Sequence, residues 1–164
     1  MLIKNFILMD ILAIFQDLQR ILLSEIEKNI KARDDAQNEA NSHGGAKVSR
    51  YDTFKEEAQY LVDGYKKKII DLEHDLSILK GFLSNFSFKD NSCVRLGNFV
   101  KTEDEKGNNR FYLYSPSAGG QKINFGNNII IVITPSSPFG KVLLGKKVNE
   151  EINLGIKQKI ILIQ

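Results

Sequence analysis

Along two long stretches of this chain, apolar residues recur at steps of three and four, and a short polar break separates the stretches. The second stretch places Phe54, Ala58, Leu61, Tyr65, Ile69, Leu72, Leu76, Leu79, Leu83 and Phe86 on one stripe, the spacing that holds one helix face against a partner. The first runs through Ile11, Ile14, Phe15, Leu18, Leu22, Ile26 and Ile30, then shrinks to Ala36 and Ala40. Between them stands Asn41-Ser42-His43-Gly44-Gly45, a glycine break at which two helices can fold back on each other. The pattern predicts an antiparallel helical hairpin over 10–86, with its tip at 41–50 and residues 1–9 as an N-terminal extension. The steps 61, 65, 69 are two consecutive fours, which predicts a stutter that locally unwinds the supercoil.

From Asp10 to Ala40 the chain has no Gly or Pro and is built mostly of good helix formers. Roughly thirty residues rising about 1.5 Å each give an arm of about 45 Å, long for a small protein. Beyond Ile30 the large apolar residues give way to Lys31, Arg33, Asp34, Asp35, Gln37, Asn38 and Glu39, so the distal end is expected to be thinly packed and the more mobile. The second helix is expected to begin near Ser49 to Thr53, capped by Asp52 or Thr53, with Glu56 and Glu57 in its first turn. Lys66, Lys67 and Lys68 form a basic girdle that reads as a solvated face.

After the turn-forming run SNFSFKDNS the grammar changes from helical stripes to short strand-like runs. Candidate strands are Cys93–Lys101, Arg110–Tyr114, Asn128–Ile133 and Lys157–Ile163, with a shorter one near Glu150–Leu154. The run TEDEKGNN reads as a hairpin turn in which Gly107-Asn108 supply positive φ. In TPSSPFGKVLLGKK, Pro138 suits a first helical turn, and Phe139, Val142, Leu143 and Leu144 form a short helix ended by Gly145. The fold class read from these patterns is α+β: a helical hairpin followed by a small β-rich domain over 92–164.

Composition narrows the function. With 42% hydrophobic and 26% charged residues the chain is that of a globular protein rather than a disordered one. A net charge of +3 is too mild to argue nucleic-acid binding by itself. The lone Cys93 excludes an internal disulfide and a cysteine-rich zinc site, and the two histidines, His43 and His74, stand far apart without ligand-spaced neighbours. The apolar start MLIKNFILMDILAIF is interrupted by Asp10 and followed by Asp17 and Arg20, which argues against a signal peptide or a membrane span; a cytoplasmic protein is expected. No nucleophile–base pair and no phosphate-cradling glycine loop stands out, so the chain is expected not to be an enzyme in its own right.

The segment ITPSSPFGKVLLGKKVNEEINL resembles the C-terminal signature of the bacterial Gre (GreA/GreB) transcript-cleavage factors, roughly I-S-x-x-S-P-L-G-R-A-L-L-G-K-x-x-G-D-E-V. The matching residues are Ser137, Pro138, Gly140, Lys141, Leu143, Leu144, Gly145, Lys146 and Glu151. Upstream, VRLGNFVKTED and NRFYLY resemble two strands of the same family, and the order of hairpin then β-domain is also shared. The resemblance implies an FKBP-like C-terminal domain without isomerase function, seated at the rim of RNA polymerase's secondary channel. It also implies a coiled coil passing down that channel, with indirect contact to nascent RNA and DNA, no membrane and no small-molecule substrate. Candidate polymerase-binding residues are Ser137, Pro138, Gly140, Lys141, Lys146 and Lys147.

In active members of that family, carboxylates at the tip help hold a Mg²⁺ ion shared with the polymerase active site, and a two-metal hydrolysis cleaves backtracked RNA. Their tip resembles G-D-L-S-E-N-A-E-Y. When Tyr51 is matched to the motif tyrosine, the two acid positions hold Gly44 and Lys47 and the adjacent glutamate position holds Arg50. Neither glycine nor lysine offers magnesium a side-chain oxygen, and two cations repel it. The tip residues His43, Gly44, Lys47, Arg50 and Tyr51 thus predict weak or absent cleavage, with no resident metal or cofactor and no catalytic residue.

Two rival readings remain open at this stage. Asp35, Glu39 and Asp52 could supply relocated acids from the helix ends, Asp35 and Glu39 being one turn apart on the same face. Alternatively, the hairpin could be a self-associating coiled-coil module unconnected to polymerase, which accounts for the helices and leaves the C-terminal signature unexplained.

Overall fold

A computed structural model of the chain describes residues 2–42, 48–87 and 91–164, and the side chains among them except those of 2–10, 42, 48–54 and 154. Two long helices, α1 (Leu2–Ser42) and α2 (Val48–Ser84), precede strands β1 (Phe99–Asp104), β2 (Asn109–Tyr114), β3 (Lys122–Phe125) and β4 (Asn128–Ile133). A short helix α3 (Pro138–Leu143) and strands β5 (Glu151–Leu154) and β6 (Ile156–Ile163) complete the chain. The α+β class read from the sequence, a helical hairpin and then a β-rich domain, is the architecture found. The chain divides into two compact units, Met1–Gln19 with Leu76–Gln164, and Arg20–Asp75.

Both helices start earlier than the apolar stripes indicate. α1 runs from Leu2, upstream of Asp10, because nothing in residues 2–9 breaks a helix. α2 begins at Val48, so Asp52 and Thr53 lie within it rather than capping it, and Glu56 and Glu57 fall beyond its first turn. At its far end the Gly81 carbonyl accepts from the Ser84 hydroxyl at 2.9 Å and the Asn85 side-chain amide at 3.1 Å. These bonds satisfy a carbonyl that would lose its helical partner.

The buried seam of α2 runs Ala58, Val62, Ile69, Leu72, Leu76 and Leu79, with half-buried Tyr65 between Val62 and Ile69. Steps of four and three therefore alternate without interruption, and the expected stutter is absent. The correction turns on one position: Val62 is fully buried, whereas Leu61 is 55% exposed. An uninterrupted heptad keeps every seam residue facing the partner helix, and that outweighs the larger side chain of Leu61. Among the described side chains of the Arg20–Asp75 unit, α1 buries Leu22, Ile26 and then only Ala36, while α2 buries Ala58 and Val62 before Ile69. The seam thus narrows from large to small side chains, as the sequence indicates.

In the other unit, the base of the hairpin closes on three phenylalanines. Phe15 lies 5.7 Å from Phe82 and 6.0 Å from Phe86, ring centre to ring centre, and Phe82 lies 5.1 Å from Phe86. Phe15 near the start of α1 meets residues at the end of α2, so the helices are antiparallel. Gly97 packs on the same rings: a Cβ there would collide with the Phe86 ring, and the φ of 94° suits only glycine.

The six strands form one sheet in the order β3-β4-β2-β1-β6-β5. β2 and β4 are parallel, and the other neighbours are antiparallel. One face packs with α3 around Val94, Val100, Tyr112, Tyr114, Ile133, Leu143, Ile152, Ile160 and Ile163. On the alternate positions Leu113, Ile123, Ile130 and Val132 are buried too, so β2 and β4 are covered on both faces. A buried polar staple crosses three strands: Gln158 Oε1 accepts from Thr102 Oγ1 at 2.7 Å and from the Tyr112 hydroxyl at 3.1 Å.

β2, β4, β5 and β6 match their expected runs to within a residue or so. β1 begins at Phe99, not Cys93, because the Asn98 side chain accepts from the Arg95 amide at 2.7 Å and bends the chain there. β3 was not expected. In the β1–β2 turn Gly107 has a φ of 81°, while Asn108 does not share the positive φ. Asn108 instead donates through its amide and side chain to Asp104.

Candidate functional site

The segment that carries the family resemblance is a tightly bonded cap on the sheet. Ser137 is the N-cap of α3: its hydroxyl donates to the Thr134 carbonyl at 2.8 Å and accepts the Gly140 amide at 3.0 Å. Pro138 occupies the first helical position, where a missing amide hydrogen costs nothing. Gly140 lies against the Thr134 carbonyl so closely that a Cβ would overlap it. The Gly140 carbonyl in turn accepts from the Tyr114 hydroxyl at 3.1 Å and the Leu144 amide at 3.1 Å. Burial pushes the Tyr114 hydroxyl's pKa above its usual value. These bonds give Ser137, Pro138 and Gly140 roles in building the fold.

The cations of the same segment are placed differently. Lys141 is exposed in the last turn of α3, where a positive charge suits the helix dipole. The Lys146 side chain is about a third exposed and lies 4.0 Å from Glu150, while Lys147 is exposed and its amide donates to Glu150 at 2.7 Å. Leu143 is fully buried, but its neighbour Leu144 is 57% exposed, since the chain leaves the helix there and turns at Gly145 with a φ of 76°.

Two loops meet at this point. The Val94 amide donates to the Lys146 carbonyl at 2.8 Å, and the Gly145 amide donates to the Val94 carbonyl at 2.9 Å. Arg95 and Leu96 therefore sit beside Leu144 on one ledge. Arg95 also donates to the Cys93 sulfur at 3.3 Å. Next to the ledge opens a cleft of about 400 Å³ whose lining includes Phe82, Phe86, Arg95, Leu96, Gly97 and Leu144. A second cleft, of about 340 Å³, lies between Tyr112 and Phe139, whose rings are 4.8 Å apart, and the strand Ile131–Ile133. The sequence reading missed Arg95, Leu96 and the first cleft, which come together only through the pairing of residues 94 and 145–146.

At the hairpin, Asp35 and Glu39 are exposed on α1, one turn apart. His43, Gly44 and Lys47 lie outside the described residues; Arg50, Tyr51 and Asp52 belong to α2, and their side chains are likewise outside the description. Among the described residues no group of three or more His, Cys, Asp or Glu side chains is arranged to hold a metal ion. Among them, too, no helix is long and apolar enough to cross a membrane.

No protein-family model matches the chain, and no curated protein matches it. Among solved structures, it is similar to the GreA factor homolog 1 (Gfh1) protein of Thermus thermophilus, with 16% identity and a TM-score of 0.36. That match covers 89% of this chain and 94% of the other. A second structure, of the transcription factor Gfh1, is similar with 18% identity and a TM-score of 0.37, covering 88% of this chain and 92% of the other.

Proposed function

We propose that this protein is a transcription elongation factor that binds RNA polymerase and acts through the secondary channel, with weak or no stimulation of transcript cleavage. The observation that carries the reading is how the residues of the Ile133–Leu154 signature divide. Ser137, Pro138, Gly140 and Leu143 are used up in capping, close approach and burial. The side chains of Lys141, Leu144 and Lys147 face solvent, and only their backbone groups bond within the segment. A motif that resembles a polymerase-binding family and leaves cations and a leucine exposed supports a docking role for its surplus residues. The hairpin fits the same reading, being long, narrowing toward small seam residues, and built before the domain that would dock.

Non-cleavage rests on Gly44, Lys47 and Arg50 at the positions matched to tip acids. The protein would then act by occupying the channel and altering nucleotide entry or backtracking. The test adds the protein to purified bacterial RNA polymerase halted in backtracked complexes, and follows both binding and RNA release. Binding with altered elongation and no released RNA is expected. RNA release abolished by Glu39→Ala or Asp52→Ala would establish relocated acids instead. Failure to bind polymerase, together with concentration-dependent oligomers, would establish the self-association module.

A further inference from the structure

Gly64 stands inside α2, where glycine is the poorest helix former after proline. Among the described residues no atom lies within 4 Å of where its Cβ would be, so no close approach inside the molecule calls for a glycine. Its surroundings are exposed and partly apolar. Tyr60, 78% exposed, and Leu61, 55% exposed, precede it by about one turn and share its side of the helix. Glu57, Lys67 and Lys68 are exposed on the same side, with Glu56 at its margin. This face is distinct from the seam of Ala58, Val62 and Ile69 that α2 buries.

The pattern is complementary to itself. Counted from the level of Val62, Glu56 and Glu57 lie six and five residues before it, and Lys67 and Lys68 five and six after it. Tyr60 lies two residues before that level and Gly64 two after it. A second α2 crossing antiparallel at this level sets the acid pair of each copy against the lysine pair of the other. It also lays each Tyr60 ring over the bare backbone at the other Gly64. A parallel crossing would set acids against acids and lysines against lysines, so the charges select the antiparallel one.

We infer that the Glu57–Lys68 face of α2 is a contact between two copies of this chain, paired antiparallel about the level of Val62. Tyr60 and Leu61 supply the burial, Gly64 the close approach, and Glu56, Glu57, Lys67 and Lys68 the register. One helix crossing buries less area than a permanent dimer needs, so the pair is weak, and it loosens as salt screens its charges. The inference stands apart from the polymerase-binding reading and is tested on the protein alone, so the failure of either leaves the other standing.

The test is sedimentation of the full chain over a concentration series at low and high salt. The wild type is expected to show a monomer–dimer equilibrium that shifts toward monomer at high salt. Lys67→Glu with Lys68→Glu, and separately Glu56→Lys with Glu57→Lys, should each weaken the dimer tenfold or more. An equal mixture of these two double variants should form a mixed dimer at least as tight as the wild type, because every opposed pair is then of unlike charge. Gly64→Leu separates the contact from the fold. It should raise the thermal midpoint of the monomer, since a better helix former enters open space, and yet weaken the dimer tenfold or more. Circular dichroism checks that each variant is folded. A wild type that stays monomeric throughout the series overturns the inference. So does a dimer that Gly64→Leu and both charge reversals leave unchanged, which would lie on another surface. A mixture of the double variants that forms no mixed dimer overturns the antiparallel pairing and the inference with it.

Discussion

The Tyr114 hydroxyl donates to the Gly140 carbonyl across 3.1 Å, tying the end of β2 to the middle of α3. Twenty-six residues separate the two in sequence. Tyr114→Phe keeps the ring in the core and removes this bond, while the carbonyl retains the Leu144 amide. The expected loss is about 1 kcal/mol of unfolding free energy, read by denaturant titration. The pH dependence has a definite sign. The native hydroxyl resists ionisation because it is buried, whereas the unfolded one ionises near the ordinary tyrosine value of 10.0. Stability should therefore fall as the pH rises past that value, and the fall should be smaller in Tyr114→Phe.

Gly140→Ala should be far more damaging. The new Cβ meets the backbone carbonyl of Thr134 and the Ser137 hydroxyl, and the backbone atoms cannot swing aside as a long side chain would. A loss of about 3 kcal/mol or more is expected. Ser137→Ala removes only the cap and should cost roughly 0.5–2 kcal/mol. Thermal unfolding of the two variants checks the order, which reverses if Gly140 is a contact residue and Ser137 the structural one.

Much of this site was legible because proline and glycine punctuate it. Pro138 and Gly145 bracket α3 to within a residue or two of where the sequence places it. The capping role of Ser137 could be read from its position before Pro138, but the Tyr114–Gly140 bond joins distant parts of the chain and leaves no local signal. β3 was missed because four residues, Lys122–Phe125, are too short to show an alternation of their own. Their flanking turns, Gly119-Gly120 and Gly126-Asn127, were the available sign. The seam of α2 was misread at one residue, because hydrophobicity alone favours Leu61 over Val62 and only heptad continuity chooses correctly.

That choice yields a sharp contrast. Val62 is fully buried and Leu61 is 55% exposed. Val62→Ala should destabilise the hairpin by about 2 kcal/mol, and Leu61→Ala should stay within about 0.5 kcal/mol. Equilibrium unfolding of the two variants decides the register. A larger loss at Leu61 would restore the stuttered seam.

The β1–β2 turn carries its own pH signature. The Asp104 carboxylate accepts from the Asn108 side chain at 3.0 Å and 3.2 Å, from the Asn108 amide at 2.9 Å and from the Lys106 amide at 2.9 Å. The Asn108 side chain is the main cause that holds its pKa below the ordinary carboxylate value of 3.8, and the Asn108 and Lys106 amides add to it. The native group is the stronger acid, so the turn is favoured above the ordinary carboxylate range and loosens as the pH falls through the lowered value. A carboxyl chemical-shift titration should give a midpoint below 3.8, moving up toward it in Asn108→Ala. A midpoint at or above 3.8 in the wild type would mean that these bonds do not persist in solution.

The tip offers the most direct test of why cleavage should be weak. With Tyr51 matched to the motif tyrosine, Gly44 and Lys47 stand where the resembled cleavage factors have acids, so on the proposed reading cleavage wants only two oxygen-bearing side chains. Gly44→Asp with Lys47→Glu supplies those carboxylates and removes one repelling cation. On backtracked complexes the double variant should release short RNA in a magnesium-dependent way, above the wild-type rate by tenfold or more. Adding Arg50→Glu should raise it further, because a second cation near the metal is replaced by an acid. Polymerase affinity should change much less than RNA release, since the proposed docking residues of the β-domain are untouched. If the double variant binds as the wild type does and still releases no RNA, the alignment of the tip on Tyr51 is wrong, and Asp35, Glu39 and Asp52 become the residues to substitute next.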